Sequence, residues 1–464
     1  MRKFTGLFCL FFLGILKIQA QEINQETLSF QEFIGFVKAH HPLVKQANLQ
    51  LKKGEAYLLK ARGGFDPKVS VDYGNKDFKD TNYFNELNAV FKVPVWYGID
   101  LKASFEDNEG VYLNPSLKTP DDGLYSAGIS MSVQGLLMNE RMATLKKARF
   151  YKEETKAKRE LAINELLYKA SKAYFSWLKA ANEEQIISTF INNATTRLQA
   201  VEKSVEAGDK AAITITEAKL NLQNRALSLQ EAMLERKQKA LEVSNYLWLN
   251  NIPLEIKEAT FPENPKEAAV EDSLLLSTVE NIDAFTASHP KIKELNAKIE
   301  GLEVDVFLKK NKLLPKLNIN YNFLSEDIQG FNSFKSANYK AYVNFELPLF
   351  LRKQRGDLKL SKLKLQEANF KRMATTLKVK NKVEEAKLTI GSLKEQQQIV
   401  ETMLQDYKAL VTAEERKFTL GESSLFLINY REEKLIQAQI KNNALFVKNL
   451  KARAKLYNAL GISL

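Results

Sequence analysis

The sequence predicts a mostly helical chain with a smaller β component, built from two tandem copies of one unit. Three observations predict it. Gly (19) and Pro (11) are both scarce among 464 residues, and no proline occurs between Pro120 and Pro253 or after Pro348. Two long stretches therefore lack the strongest helix breaker. Two separated segments recur later in the chain at one unchanged spacing. After each of two prolines the apolar period changes from near 3.6 to 2, which is the change from helix to strand.

The chain opens on a leader. Met1-Arg2-Lys3 is cationic, Phe4 to Leu16 is almost wholly apolar, and Ile18-Gln19-Ala20 offers a small residue at the cut. This reads as a cleavable secretory signal peptide over residues 1–20. It is too short for an anchor, which needs about 20 apolar residues. Removing Arg2, Lys3 and Lys17 lowers the formal charge from +12 to +9. No apolar run of spanning length follows, so an exported chain that enters a membrane must do so by strands.

Cys9 is the only cysteine, and His40, His41 and His289 are the only histidines. That arithmetic excludes disulfide frameworks, zinc clusters and Cys-His nucleophilic sites. No cofactor or metal is expected. Carboxylates are plentiful, but no catalytic order, metal spacing or phosphate loop accompanies them, so an enzyme is not expected. Nucleic acid is not an expected partner for a secreted chain without a recognisable nucleic-acid fold.

The duplication is specific. His41-Pro42-Leu43-Val44-Lys45-Gln46-Ala47-Asn48 matches His289-Pro290-Lys291-Ile292-Lys293-Glu294-Leu295-Asn296, an offset of 248. Pro67-Lys68-Val69-Ser70-Val71-Asp72-Tyr73 matches Pro315-Lys316-Leu317-Asn318-Ile319-Asn320-Tyr321 at the same offset. Further on the offset becomes 213, pairing Leu145 with Leu358, Gly208 with Gly421 and Asn245 with Asn458. The difference of 35 residues places an insertion in the first copy, within 74–135.

Each copy opens with a His-Pro step that suits a helix start, because the first-turn N–H that proline lacks would be unpaired anyway. Alternation follows: Val69, Val71 and Tyr73 in the first copy, then Leu317, Ile319, Tyr321 and Phe323 in the second. Return strands are expected at Ile129, Met131 and Val133, and from Tyr339 to Leu347. The insertion offers Ala89-Phe91-Val93 and Ile99-Leu101-Ala103-Phe105 on either side of Pro94-Val95-Trp96-Tyr97-Gly98. Such alternation fits membrane barrel strands and soluble one-sided sheets equally.

Two long helices per copy come next, from about Asn139 to Glu206 and Asp209 to Leu249, then Gln354 to Thr419 and Glu422 to Leu460. At 1.5 Å per residue the longer ones reach roughly 100 Å. Leu220, Leu227, Leu234 and Leu241 form one stripe, and Leu222, Leu229 and Val243 a second. Two stripes on one helix call for two neighbours. Gly208 and Gly421, each followed by an acid (Asp209, Glu422), mark the hairpin tips, where glycine tolerates the positive φ of a helix end. The expected division is helices at 21–66, strands at 67–135, a helical hairpin at 136–250 and a linker at 251–288. The second copy then has a helix at 289–314, strands at 315–348 and a hairpin at 349–464.

This duplicated layout resembles the TolC-like outer-membrane efflux proteins. The matching runs are Val133-Gln134-Gly135-Leu136-Leu137-Met138-Asn139-Glu140-Arg141 and Phe345-Glu346-Leu347-Pro348-Leu349-Phe350. The tips Ala207-Gly208-Asp209 and Leu420-Gly421-Glu422-Ser423-Ser424 match too, as does the closing Leu456-Tyr457-Asn458-Ala459-Leu460-Gly461. The resemblance implies a homotrimer with one β-barrel in outer-membrane lipid and a hollow helical barrel continuing across the periplasm. It implies docking of a periplasmic adaptor and an inner-membrane transporter (RND or ABC type) at Gly208, Asp209, Gly421 and Glu422, for efflux or type I secretion. The other class that fits long helices is an exported structural coiled-coil or adhesin-like protein, which leaves the duplicated strands unexplained.

Many relatives narrow the periplasmic end with acids six and nine positions after the tip glycine. Here those positions hold Thr214 and Glu217, then Leu427 and Tyr430. The expectation is a gate closed mainly by packing of Leu427 and Tyr430, with ordinary inter-helix core as the other reading of that pair. The insertion is expected to lengthen an external hairpin, giving four strands per chain and twelve per trimer, with eighteen possible. Twelve Lys and Arg against four acids between Arg352 and Lys387 read as a solvated face or as a positive collar favouring anionic cargo.

Overall fold

The structure, a computed structural model, describes residues 27–276, 288–328 and 333–462. The leader expected at 1–20 lies outside the described residues, as does part of the linker.

Helix α1 (Phe30–His40) starts at a reciprocal cap: Ser29 Oγ accepts from the Glu32 N–H at 3.3 Å, and the Glu32 carboxylate accepts from the Ser29 N–H at 3.2 Å. Helix α2 (Pro42–Arg62) begins with proline, and His41 Nδ1 accepts from the Leu43 N–H at 3.1 Å. His289 does the same for Lys291 at 3.0 Å before the helix that starts at Pro290. Both histidines are buried helix caps rather than ligands. Burial pushes the His289 imidazole down to about 4, against the opposing pull of its bond to the Ala459 backbone, so it stays neutral and keeps its acceptor nitrogen.

Four strands follow: β1 (Lys68–Phe78), β2 (Thr81–Pro94), β3 (Ile99–Glu109) and β4 (Leu124–Ser132). A one-turn helix, α3 (Val133–Leu137), then leads to α4 (Glu140–Glu206) and α5 (Ile213–Ser244). Beyond α6 (Glu267–Ser273) come α7 (Pro290–Asn311), β5 (Lys316–Ser325), β6 (Tyr339–Glu346), α8 (Arg352–Thr419) and α9 (Leu425–Leu460). Val133, expected at the end of a strand, instead begins α3.

The strands form one antiparallel sheet in the order β6-β5-β4-β3-β2-β1. This sheet has six strands, against the four per chain expected and in line with the six that the eighteen-stranded alternative needs. The reason lies at Pro94–Gly98, where Tyr97 (φ 58°) and Gly98 (φ 68°) are left-handed and turn the chain at the helix end of the sheet. A Cβ on Gly98 would sit 2.8 Å from the Gly135 Cα, so this turn packs on α3 only through glycine. The insertion therefore comes back down to the helices and returns, adding two full strands. Its acids and glycines, including Gly110, Asp121, Asp122 and Gly123, lie at the opposite end of the sheet.

Below the sheet the helices form a wall in which α5 packs on α4, α4 on α9, and α9 on α8. Its largest core gathers Phe30, Phe33 and Val37 of α1 around Tyr174, Phe175, Trp177 and Leu178 of α4, with Leu450 and Tyr457 of α9. Phe30 stacks on Phe175 at 4.7 Å, and the Tyr174 hydroxyl donates to the Leu28 carbonyl at 2.7 Å. Each buried aromatic of this kind contributes about 1.5–3 kcal/mol from area alone. Sheet and wall are joined by Asp100 of β3, which pairs with Lys92 and Arg141 at 2.7 Å each. Beside this joint Asn311, at the end of α7, ties the second half of the chain to the first: its amide donates to the carbonyls of Gln134 (2.6 Å) and Met138 (2.7 Å). Among the described residues no helix is long and apolar enough to cross a membrane.

Candidate functional site

The candidate functional surfaces are the two faces of the sheet, its edges, and the far ends of the long helices. Register sorts the sheet side chains. Val69, Phe91, Ala103, Ala127, Phe323 and Tyr339 stand side by side across all six strands. On the same face lie Val71, Leu101, Ile129, Val343 and Phe345, all largely exposed; Val69 is 72% exposed and Val343 69%. Ser70, Ser104 and Ser126 hold the opposite face, with Asn320, Asn322 and several lysines. A contiguous apolar face of this size demands cover by lipid or protein.

Aromatic rings mark both ends of the sheet. Trp96 packs on Phe65 at 4.8 Å at the helix end, and Tyr83 contacts Phe78 and Tyr112 at the other. Among the described residues β1 and β6 are the sheet edges. The wall has matching open sides. On α5 the second leucine stripe is packed on α4, whereas Leu220, Leu227, Leu234 and Leu241 are 55–61% exposed. On α8, Leu377, Leu388, Ile399 and Leu410 recur every eleventh residue and are exposed as well.

The tips are built alike. Gly208 and Gly421 both adopt φ 79°. Asp209 N–H donates to the Ser204 carbonyl and Glu422 N–H to the Lys417 carbonyl, each at 2.9 Å, closing the glycine-ended turn that satisfies the last helix carbonyls. The Lys210 ammonium lies 3.5 Å over the Phe418 ring, so Gly208, Asp209, Gly421 and Glu422 share one end of the molecule. Just above, Val201, Ala218 and Leu425 form a small core.

Of the expected gate residues, Thr214 and Glu217 lie in the first two turns of α5, and Leu427 and Tyr430 in those of α9. Leu427 (40% exposed) and Tyr430 (45%) are not core within this chain; Ile428, between them, is. Tyr430 stacks on Phe426 at 6.5 Å instead. Glu217 is exposed and Thr214 half-buried. In the basic stretch of α8, the acids Asp357 and Glu385 are taken by Lys309 and Lys455 from other helices.

Sequence reasoning missed one constellation. Glu432 is fully buried and pairs with Arg197 at 2.8 Å and Arg225 at 2.5 Å, while Arg225 also donates to the Phe190 carbonyl at 2.9 Å. These groups come from α9, α4 and α5, so they clasp the two hairpins together. Arg197 precedes Gly208 by eleven residues and Glu432 follows Gly421 by eleven, placing the clasp a few turns above both tips. Burial pushes the Glu432 carboxyl up, but the two guanidinium groups outweigh it and hold it below the usual carboxylate range. The available signal was positional: Glu432 interrupts the buried stripe Leu425, Ile428, Leu435, and Arg225 sits between Leu222 and Leu229.

A family model of outer membrane efflux proteins matches residues 34–247 and 281–462. The chain belongs to that family. No curated relative matches its sequence. Solved channels share the fold at low identity. The Campylobacter jejuni CmeC outer membrane channel has a TM-score of 0.64 at 14% identity, covering 93% of this chain and 85% of its own. The Vibrio cholerae outer membrane protein VceC has 0.65 at 12%, covering 93% and 95%. The open-state Neisseria gonorrhoeae MtrE channel has 0.64 at 13%, covering 93% and 88%. The family is one of outer membrane efflux proteins, and the apolar sheet face is the surface that such a location requires.

The clasp gives a direct expectation. Glu432→Gln leaves two buried guanidinium groups facing a neutral amide and is expected to cost about 3 kcal/mol, read as faster limited proteolysis at both tips and a lower denaturant midpoint. Unchanged resistance contradicts the assignment. Because the folded carboxyl titrates below its unfolded value of about 4.3, the contribution is complete above that pH and is lost as pH falls through the folded value. Glu432→Gln removes that acid-dependent loss.

Proposed function

We propose that three copies of this efflux protein close head to tail into one tube. The observation that carries the reading is that the chain is open on both flanks at both levels. In the sheet β1 and β6 have no outer partners among the described residues; in the wall α5 and α8 expose leucine stripes. Two different surfaces that complement each other make a heterologous contact, which closes into a ring or runs on as a filament. Lipid selects the ring, since unpaired strand edges are not tolerated in hydrocarbon.

With six strands per chain, three copies make an eighteen-stranded barrel, apolar outside and polar inside. The strands of 67–135 and 315–348 form the membrane part. The hairpins of 136–250 and 349–464 continue it as a helical tube through the periplasm, consistent with α4 and α8 of 67 and 68 residues, roughly 100 Å each. Two tandem copies of one unit per chain make the tube quasi-sixfold. Gly208, Asp209, Gly421 and Glu422 form the end to which a periplasmic adaptor and an inner-membrane transporter of RND or ABC type dock. Thr214, Glu217, Leu427 and Tyr430 ring the opening there, with the exposed Leu427 and Tyr430 supplying an apolar closure. Cargo passes from the tips to the exterior.

Leu234 of α5 lies 21 residues from the start of its helix and Ile399 of α8 lies 20 from the end of its own, so the two stand at one height. Beyond the leader the sequence has no cysteine. Leu234→Cys with Ile399→Cys is expected to oxidise to a covalent trimer on a non-reducing gel. Monomer alone, with both thiols reactive to maleimide, contradicts closure through these helices. Tyr430→Ala is expected to raise the single-channel conductance in planar bilayers; an unaltered conductance removes Tyr430 from the gate.

A further inference from the structure

The polar face of the sheet carries a row of lysines of which two, Lys68 and Lys102, enter no ion pair among the described residues. Lys68 of β1 stands opposite Lys92 of β2, and Lys92 opposite Lys102 of β3. The row continues through Gly128 and Asn322 to Lys340 of β6. Four of six positions across the sheet are therefore lysines, three of them on consecutive strands about 4.8 Å apart. Like charges directly opposite one another destabilise a sheet, so strand pairing alone does not account for them.

The neighbouring rows do not neutralise this one. Toward the outer end stand Ser70, Val90, Ser104, Ser126 and Leu324, with no charge. Toward the helices the row of Asp100, Ser130, Asn320 and Tyr342 has one acid, and Asp100 is shared between Lys92 and Arg141. Lys340 reaches Glu106 at 3.7 Å. Lys68 and Lys102 have no carboxylate partner among the described residues. The band thus has an uncompensated excess of ammonium groups on the face that points away from lipid.

We infer that this lysine row is a selectivity band inside the barrel that favours anionic solutes, those bearing carboxylate or phosphate groups. The inference rests on the closed tube proposed above, in which three copies bring twelve lysines into three rows inclined to the axis by the strand tilt. Low-dielectric walls focus such a field and raise the local concentration of counter-ions. The chemistry is that of mobile ammonium groups meeting anions transiently, which suits passage better than capture because no fixed cage of donors surrounds them.

The test uses the full mature protein, purified in detergent and inserted into planar bilayers under a potassium chloride gradient. The unsubstituted channel is expected to have an anion-preferring reversal potential. Lys68→Gln with Lys102→Gln relieves repulsion between strands, so folding is retained, and is expected to lower the chloride-to-potassium permeability ratio about threefold. Lys102→Glu alone is expected to shift it in the same direction. The difference from the parent is expected to shrink at about 1 M salt, where the screening length falls to about 3 Å. A cation-preferring parent, or a reversal potential untouched by both changes, overturns the lysine assignment while leaving the tube standing. Failure to form any conducting pore overturns the tube and this inference together.

Discussion

A strand edge in hydrocarbon has nothing to bond to, and the rest of this molecule is organised around that fact. The middle of one face of its six-stranded sheet is apolar across all six strands, yet among the described residues β1 and β6 both end the sheet. Lipid can cover the face but cannot satisfy the edges. The proposed closure by further copies answers both needs, and in that tube the same copies cover the leucine stripes of α5 and α8 below. The junction between the levels is cross-braced. Asp100 ties β2 and β3 to α4, while Asn311 and Gln134 exchange bonds between the two halves of the chain.

The far end obeys a different constraint. Near the tips the apolar core shrinks to Val201, Ala218, Leu425 and a few neighbours. What binds the hairpins there is Glu432 with its two arginines. A buried ion pair of this kind adds little net stability over apolar packing, but it tolerates only one geometry and is expensive to break on one side. In the proposed tube such a clasp keeps each chain's two hairpins joined, so that a widening of the opening falls between chains. The exposed Leu427 and Tyr430 are free to make contacts of that inter-chain kind.

Much of this was legible in the sequence because long-range periodicity is a strong signal. A helix of 67 residues announces itself by missing prolines and a sustained apolar stripe, and Gly208 and Gly421 announce its ends. The insertion was harder. Whether a Pro-Val-Trp-Tyr-Gly run turns at the outer or the helix end of a sheet depends on where Gly98 can pack, here against Gly135, and that contact is remote in sequence. The clasp was hidden for another reason. In a chain that is 27% charged, three more charged residues on helices look like solvated face until the helices are placed side by side. The lysine row is invisible by the same logic, since only strand register sets Lys68, Lys92, Lys102 and Lys340 in line.

Electron cryomicroscopy of the detergent-purified protein tests closure most directly, because it counts strands and identifies the neighbours of β1 and β6. The account predicts a threefold particle with eighteen strands, in which β1 of each copy bonds β6 of the next. A particle in which either edge stays unpaired, or in which six strands of a single chain close on themselves, contradicts it.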